Sequence, residues 1–417
     1  MVTSNEVANA ASVAVGALLL FSVGSAYSIS AWNNQLRDAL HLSQADISLL
    51  GASFTFGQYN SIWAGIFYDR FGVRWCATVA GLLLAGGYWT AALLPTGSPS
   101  WTLALCFGCI GLAHAFPAIA GLAANEGLYG NLHRGKILGF LVASYCAGGA
   151  AFAYVYNAWF DHDVMGYFNW LGWYMLVVCL VGIVFLHRSI PDGAAAEPFK
   201  SESPDELTPF LDRQVDVTLW ELLATASFWY LFVPVMVGVG AAMFVMNNIS
   251  FIVESNRGEM ALVPFYVSLF SLCNLVGRFA IGALSDAFLA SIPRSRFLSS
   301  SVVAIGITQL LFLVMPVAWI ALPIATTGFA EGCIYALFPV MTREYFGSKH
   351  FGKNYGLVSL SNAVGFPLVL GPLSTAVYHY HTLPGAVACD GASCFGPTFA
   401  FSAAASLLAL YCSLQLR

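Results

Sequence analysis

Three ionisable side chains, His114, Arg278 and Glu331, interrupt long apolar runs. A charged group at the centre of a membrane helix costs about 2.5–3.5 kcal/mol on insertion scales, so each is expected to face partners or water. Arg278 offers a planar fork of donors that can grip a carboxylate with two hydrogen bonds, which suits an anionic ligand. It stands eight residues before Asp286, about 12 Å along a helix. Ser268, Ser271, Asn274, Arg278 and Gly282 step by three or four, which draws a polar stripe along one helix face, as a cavity lining requires. Glu331 stands twelve residues before Arg343, about 18 Å deep on the same helical rise. Desolvation favours the neutral form of a carboxyl group and a nearby Arg or bound anion alters that preference, which is the logic of coupling a proton to an anion. Glu331 and Arg278 are therefore expected to exchange partners as proton and anion arrive; the alternative is a fixed ion pair that locks two helices. His114 reads either as a proton relay or ligand contact, or as a hydrogen-bonded structural residue. Asn247 and Asn248 follow Gly238 and Gly240, where bending a helix is cheap. With Tyr27 they could line or close an outer gate; helix–helix hydrogen bonding is the plainer role.

What must position these groups is almost wholly apolar. Of 417 residues, 59% are apolar and 9% charged, and the mean hydropathy is +0.74. A soluble chain carries about 25% charged residues, so a water-soluble globular protein is excluded. At about 20 residues per membrane helix the length holds on the order of twelve spans. Apolar runs separated by Gly, Pro and charge place them near 8–33, 44–68, 75–95, 101–124, 137–157, 167–187, 222–252, 261–284, 297–316, 319–342, 354–377 and 396–415. The first run is too long for a signal-peptide core and has no basic residue before it, so it is expected to stay as the first span. The polar stretch from Arg188 to Asp216 carries four prolines and seven acids and reads as a flexible linker. The expected organisation is a bundle at 1–187, an acidic linker at 188–218 and a second bundle at 219–417.

Charge and repetition refine that plan. Thirteen of the sixteen Lys and Arg, Arg70, Arg74, Arg134, Lys136 and Arg343 among them, fall on one set of alternating loops and the C-terminus. Cytoplasmic loops carry such an excess, so both termini are expected in the cytoplasm. There are too few charges to form a basic face, which excludes nucleic acid as a partner. A constant displacement of 217 pairs Gly65 with Gly282, Asp69 with Asp286, Gly111 with Gly328, Gly130 with Gly347, Lys136 with Lys353, Ser144 with Ser361 and Gly148 with Gly365. It also pairs His114 with Glu331. Two copies of one folding unit, with a pathway between them near the midplane, follow from that register. Eight Cys are scattered within the apolar runs, where a thiol acts as a small apolar group. Cys389 and Cys394 lie in a polar Gly-containing loop and could close a disulfide on an oxidising side. No metal cluster, phosphate-cradling loop or nucleophile–base pair stands out, so no metal, no cofactor, no ATP drive and no enzyme activity are expected.

Gly65, Asp69, Arg70, Gly72 and Arg74 spell Gly-Ile-Phe-Tyr-Asp-Arg-Phe-Gly-Val-Arg between the second and third runs, with a degenerate copy at Gly282 and Asp286. The pattern resembles the G-x-x-x-D-R-x-G signature of the major facilitator superfamily, and the duplicated twelve-span layout is similar too. Physically, Gly allows close helix approach, while Asp and Arg at the membrane edge can pair across helices and hold one state closed. Plain topogenic charge with a packing glycine is the other reading. A narrower resemblance, to the nodulin-like relatives of monocarboxylate transporters and oxalate/formate exchangers, runs through Ser25–Ser30, Leu42–Asp46, Phe228–Phe232, Asn274–Arg278, Glu344–Gly352 and the Cys389/Cys394 loop. It implies Arg278 as substrate ligand. In those relatives an Asp precedes this Arg by four residues, whereas this chain has Asn274 there, a departure from their proton-handling arrangement.

The expectation is an all-α integral membrane protein of twelve transmembrane helices in two pseudo-symmetric six-helix bundles, the major facilitator fold. It would work as a monomer in membrane lipid and carry a small organic solute, an anion of the monocarboxylate kind, by alternating access with proton symport. A facilitator or exchanger of a neutral or zwitterionic solute, with Arg278 and Glu331 structural, is the second reading; a non-transporting solute sensor is a third.

Overall fold

The computed structural model describes residues 4–42, 44–128, 133–161, 163–186, 217–383 and 389–416. The linker up to Asp216, and Gly130 of the repeat, lie outside these residues. Among the described residues, ten helices are long and apolar enough to cross a membrane. They are α1 (Glu6–Ser28), α4 (Ser100–Asn125), α5 (Arg134–Trp159), α6 (Val164–Phe185), α7 (Ala226–Ser255), α8 (Met260–Ala287), α9 (Arg294–Val314), α10 (Ala321–Phe346), α11 (Phe351–His381) and α12 (Gly396–Gln415). Two more complete the twelve. The helical run Ile62–Ala92 breaks at Gly72, whose φ of 83° only glycine adopts without strain. The break separates α2 (44–71, interrupted at 60–61) from α3 (73–92).

Helices dominate because a chain in lipid must satisfy its own backbone N–H and C=O groups. Local signals set the ends. Asp163 caps α6 by accepting from the Gly166 amide at 2.9 Å, and Pro397 occupies the first turn of α12, where a missing N–H costs nothing.

The chain forms two compact units, Met1–Leu219 with Thr342–Leu360, and Trp220–Met341 with Ser361–Arg417. Residues 342–360 therefore pack with the first unit, although the sequence division assigns them to 219–417. Within the first unit, Trp32, Phe107, Tyr156, Tyr167 and Phe168 form a buried aromatic cluster.

Glycines set the helix crossings inside each unit. In the first, a side chain at Gly111 would strike the Phe54 carbonyl of α2, and one at Gly148 would strike the Phe21 carbonyl of α1. In the second, Gly328 and Gly332 of α10 press on the backbone of α8 at Phe270 and Asn274, and Gly365 of α11 presses on Met236 of α7. Gly111 with Gly328 and Gly148 with Gly365 are pairs at the 217 displacement, so both units cross their helices at corresponding glycines. Such backbone contact is how helices associate where lipid removes the hydrophobic drive. Near these crossings two helices leave α geometry: α1 ends in a 3₁₀ turn, Gly24–Ser28, and α11 winds as a π-helix over Val364–Leu370.

Candidate functional site

The second unit brings Asn274 and Arg278 of the polar stripe together with the buried acid Glu331, whereas Ser268 and Ser271 of the stripe are exposed and bond their own helix at Pro264 and Val267. Arg278 Nε donates to Asn274 Oδ1 at 2.7 Å, and Asn274 Nδ2 donates to Glu331 Oε2 at 2.8 Å. Asn274 and Arg278 share a face of α8 because they stand one helical turn apart. Glu331 reaches them from α10 because Gly328 and Gly332 let the two backbones touch. All three side chains are at most 3% exposed. The Arg278 guanidinium lies over the Tyr335 ring, 4.2 Å from its centroid, a cation–π contact that holds the fork's plane. Asn274 thus links Glu331 to Arg278.

In the first unit, His114 is fully buried. Its Nδ1 bonds the Ile110 carbonyl at 2.8 Å and its Nε2 the Tyr88 hydroxyl at 3.2 Å. A carbonyl only accepts, so Nδ1 carries the hydrogen and Nε2 accepts. The neutral ring then has a partner on each nitrogen and ties α3 to α4, with Ser25 of α1 at 3.5 Å. That arrangement matches the structural alternative for His114. Tyr27 lies half-buried, edge-on to Tyr145 of α5 with centroids 4.8 Å apart, and the Tyr145 hydroxyl accepts from Gln58 Nε2 of α2 at 2.5 Å. The amide nitrogens of Asn247 and Asn248 each bond their own helix one turn back, at Met243 and Phe244, both at 2.8 Å.

The signature residues gather at the end of the first unit that carries the basic loops. Asp69 accepts from the Gly352 and Lys353 amides at 3.0 and 2.9 Å, so the carboxylate of α2 caps the N-terminus of α11, where unsatisfied N–H groups and the helix dipole favour an anion. Gly65 makes this possible, since a side chain there would strike the Gly352 carbonyl. Arg70 and Arg74 are exposed, Arg70 lying 5.4 Å over Phe71. In the second unit, Gly282 and Asp286 are buried, and Asp286 accepts from Arg294 at 2.5 Å. Cys389 and Cys394 are joined by a disulfide. Beside it Asp390 takes a two-pronged bond from Arg257, at 3.0 and 2.6 Å, which holds its carboxyl below the usual range.

Sequence reasoning misses one ionic cluster. Glu126, with a side chain 1% exposed, accepts from Arg343 Nε at 2.7 Å. Arg134 donates to the Glu126 carbonyl at 3.1 Å and approaches Glu344 at 4.0 Å. The loop charge pattern reads Arg134 and Arg343 only as topogenic charge. A signal is present, because Glu126 and Arg343 are 217 residues apart; a repeat test that matches identical residues passes over an acid aligned with a base.

A sequence profile described as Major Facilitator Superfamily matches residues 13–365. An uncharacterised MFS-type transporter of Escherichia coli, YhjX, is 25% identical, covering 83% of this chain and 82% of its own. The riboflavin transporter MCH5 of Saccharomyces cerevisiae is 23% identical, covering 85% and 71%. Among solved structures, a variant of the fucose:proton symporter FucP of Escherichia coli superposes with a TM-score of 0.67 at 14% identity, each chain covered in full.

Proposed function

The chain belongs to the major facilitator superfamily, and on that premise we propose that this membrane transporter moves a small organic anion of the monocarboxylate kind by alternating access, with proton symport. One arrangement carries the proposal: Arg278, Asn274 and Glu331 stand in an unbroken hydrogen-bonded chain, shielded from water. A guanidinium is the natural ligand for a carboxylate. A carboxyl group joined to it through one amide responds to the anion's arrival, and its proton travels as the coupled ion. On this reading the chain is a nodulin-like relative of monocarboxylate transporters. The basic loops support cytoplasmic termini, with bundles at 1–187 and 219–417 joined by the acidic linker, in a protein that acts as a monomer.

The facilitator reading has its own support: glycine contacts fix α8 to α10 at the level of the same three residues, as a purely structural lock would need. Uptake by purified protein in liposomes separates the two. The panel comprises labelled monocarboxylates, zwitterionic amino acids, neutral sugars and riboflavin, each with and without an imposed pH gradient. Gradient-driven accumulation of a monocarboxylate is expected; uptake confined to neutral or zwitterionic solutes and indifferent to the gradient rejects the anion and the symport together.

A further inference from the structure

In the first unit a cavity of about 570 Å³ opens between the end of α3 and the start of α6, with Trp89 and Leu93 on one wall and Gly166, Asn169 and Trp173 on the other. That is the size of a small-ligand pocket. Its level in the membrane follows from the helix that leads to it. Starting beside the signature glycine Gly72, α3 runs from 73 to 92, about 30 Å, which is the thickness of the hydrocarbon core. The cavity therefore stands at the membrane boundary opposite the signature residues. Trp is common at such boundaries as a plain anchor, and Trp101 and Trp159, exposed at the same end of the unit, fit that role. Trp89 and Trp173 differ. Their ring centroids are 4.8 Å apart, and the Trp89 indole packs over Gly172 of α6, where any side chain would strike it. Both rings line the cavity.

Along α6 the groups come in a fixed order. Asp163, exposed at the cap, accepts from the Gly166 amide through Oδ1 at 2.9 Å, while its Oδ2 lies over Gly166 at the cavity wall. Asp161, also exposed, stands two residues before it. Deeper in come the exposed Asn169 amide, then the Trp173 indole, then an exposed apolar strip of Val177, Leu180 and Val184. From Asn169 on, steps of three or four residues keep these side chains on one helix face. On α3, deeper than Trp89, Gly86 has open space beside it and Leu82 and Leu83 are exposed. Carboxylate, amide, indole and apolar strip match the order in which a phospholipid presents ammonium, phosphate, ester and acyl chain from the membrane surface inward.

We infer that this cavity binds a phospholipid with a primary-ammonium headgroup, its ammonium on Asp163, a phosphate oxygen on the Asn169 amide and an acyl chain along Val177, Leu180 and Val184. A primary ammonium has hydrogen bonds to give a carboxylate. A trimethylated one has none, and an anionic headgroup meets two acids. A water-soluble amine would leave the apolar strip uncovered, so the membrane is the source that the site fits. Arg278, Asn274 and Glu331 take no part, and the inference stands apart from the identity of the solute.

The test titrates the purified full chain in detergent with dioctanoyl phosphatidylethanolamine, phosphatidylcholine and phosphatidylglycerol, reading bound lipid by native mass spectrometry and thermal melting. Asp163→Asn, Asn169→Leu and Trp101→Leu are compared with wild type. Asn caps helices about as well as Asp, so Asp163→Asn removes the charge and keeps α6. Wild type should bind the ethanolamine lipid about tenfold tighter than the other two. Asp163→Asn should lose that preference while melting as wild type does without lipid, Asn169→Leu should weaken the ethanolamine and choline lipids alike, and Trp101→Leu should match wild type. Equal binding of the three lipids by wild type means an unselective lipid shell and overturns the inference. So does a preference that survives Asp163→Asn, or phosphoethanolamine without acyl chains binding as tightly as the lipid. Because the wild-type preference is read without any variant, its absence overturns the inference whether or not each variant folds. The anion reading is untouched by any of these results, since uptake decides it.

Discussion

Arg278→Lys keeps the charge but removes the planar fork. If the fork grips a carboxylate, the change forfeits about 1.5–3 kcal/mol of charge-assisted bonding, so anion uptake should fall about tenfold to a hundredfold in kcat/KM. Under the facilitator reading, uptake falls only as far as stability does, which thermal melting measures in parallel. Glu331→Gln keeps shape and the bond to Asn274 but cannot ionise. Gradient-driven accumulation should vanish while tracer exchange at equal pH persists; wild-type accumulation by this variant rejects the coupling role. At this scale the sequence exposed Arg278, Asn274 and Glu331 because ionisable and polar residues in an apolar run stand out. It could not show that Asn274 is the bridge, because which side chains meet depends on how closely α8 and α10 approach. It held no sign that the His114 ring has a partner on both nitrogens, since those partners come from α3 and from the preceding turn of α4.

At the scale of elements, glycine contacts decide where helices touch. Gly332→Val would thrust two methyl groups into the α8 backbone at Asn274. Overpacking of this kind costs about 1–3 kcal/mol, so the variant should melt lower and lose uptake, whereas Gly51→Ala, at a glycine with open space around it, should change neither. The Asp69 cap on α11 makes a second prediction. Asp69→Asn removes the negative charge that faces the helix N-terminus and leaves one acceptor oxygen for two amides. If the contact holds one state closed, a cysteine introduced by Lys353→Cys should react faster with a water-soluble thiol reagent when combined with Asp69→Asn than alone; an unchanged rate rejects the latch. The Arg257–Asp390 pair gives a pH test. The Asp390 carboxyl sits below its ordinary value because Arg257 bonds it, so whatever the pair contributes is present above that ordinary value and is lost as pH falls through the lowered one. Asp390→Asn should therefore differ from wild type in melting temperature by a constant amount above about pH 4 and by progressively less as pH falls below it, and salt should shrink the difference, since both groups are exposed.

For the whole molecule, the Glu126–Arg343 bond ties α4 to the end of α10 at positions related by the repeat. Glu126 is buried and Arg343 only partly so, so removing one partner costs less than the ~3–5 kcal/mol of a fully buried pair. Glu126→Gln and Arg343→Gln should each lower the melting temperature, and the double variant should lose less than the sum of the two. Additive losses would mean that the two side chains do not act together. Composition, hydropathy and the 217 register determined the membrane class, the all-helical fold and its duplication, because a bilayer leaves an apolar chain few alternatives to spanning helices. The signature between α2 and α3 marked the superfamily. Tertiary structure alone decided that residues 342–360 pack with the first unit, that Asp69 caps α11, that Glu126 meets Arg343, and that Trp89 packs over Gly172 against Trp173. The physical reason is common to all four: periodicity along a chain assigns a residue to a helix face, but the partner it meets is fixed by where glycines permit backbones to touch, and that is settled among helices far apart in sequence.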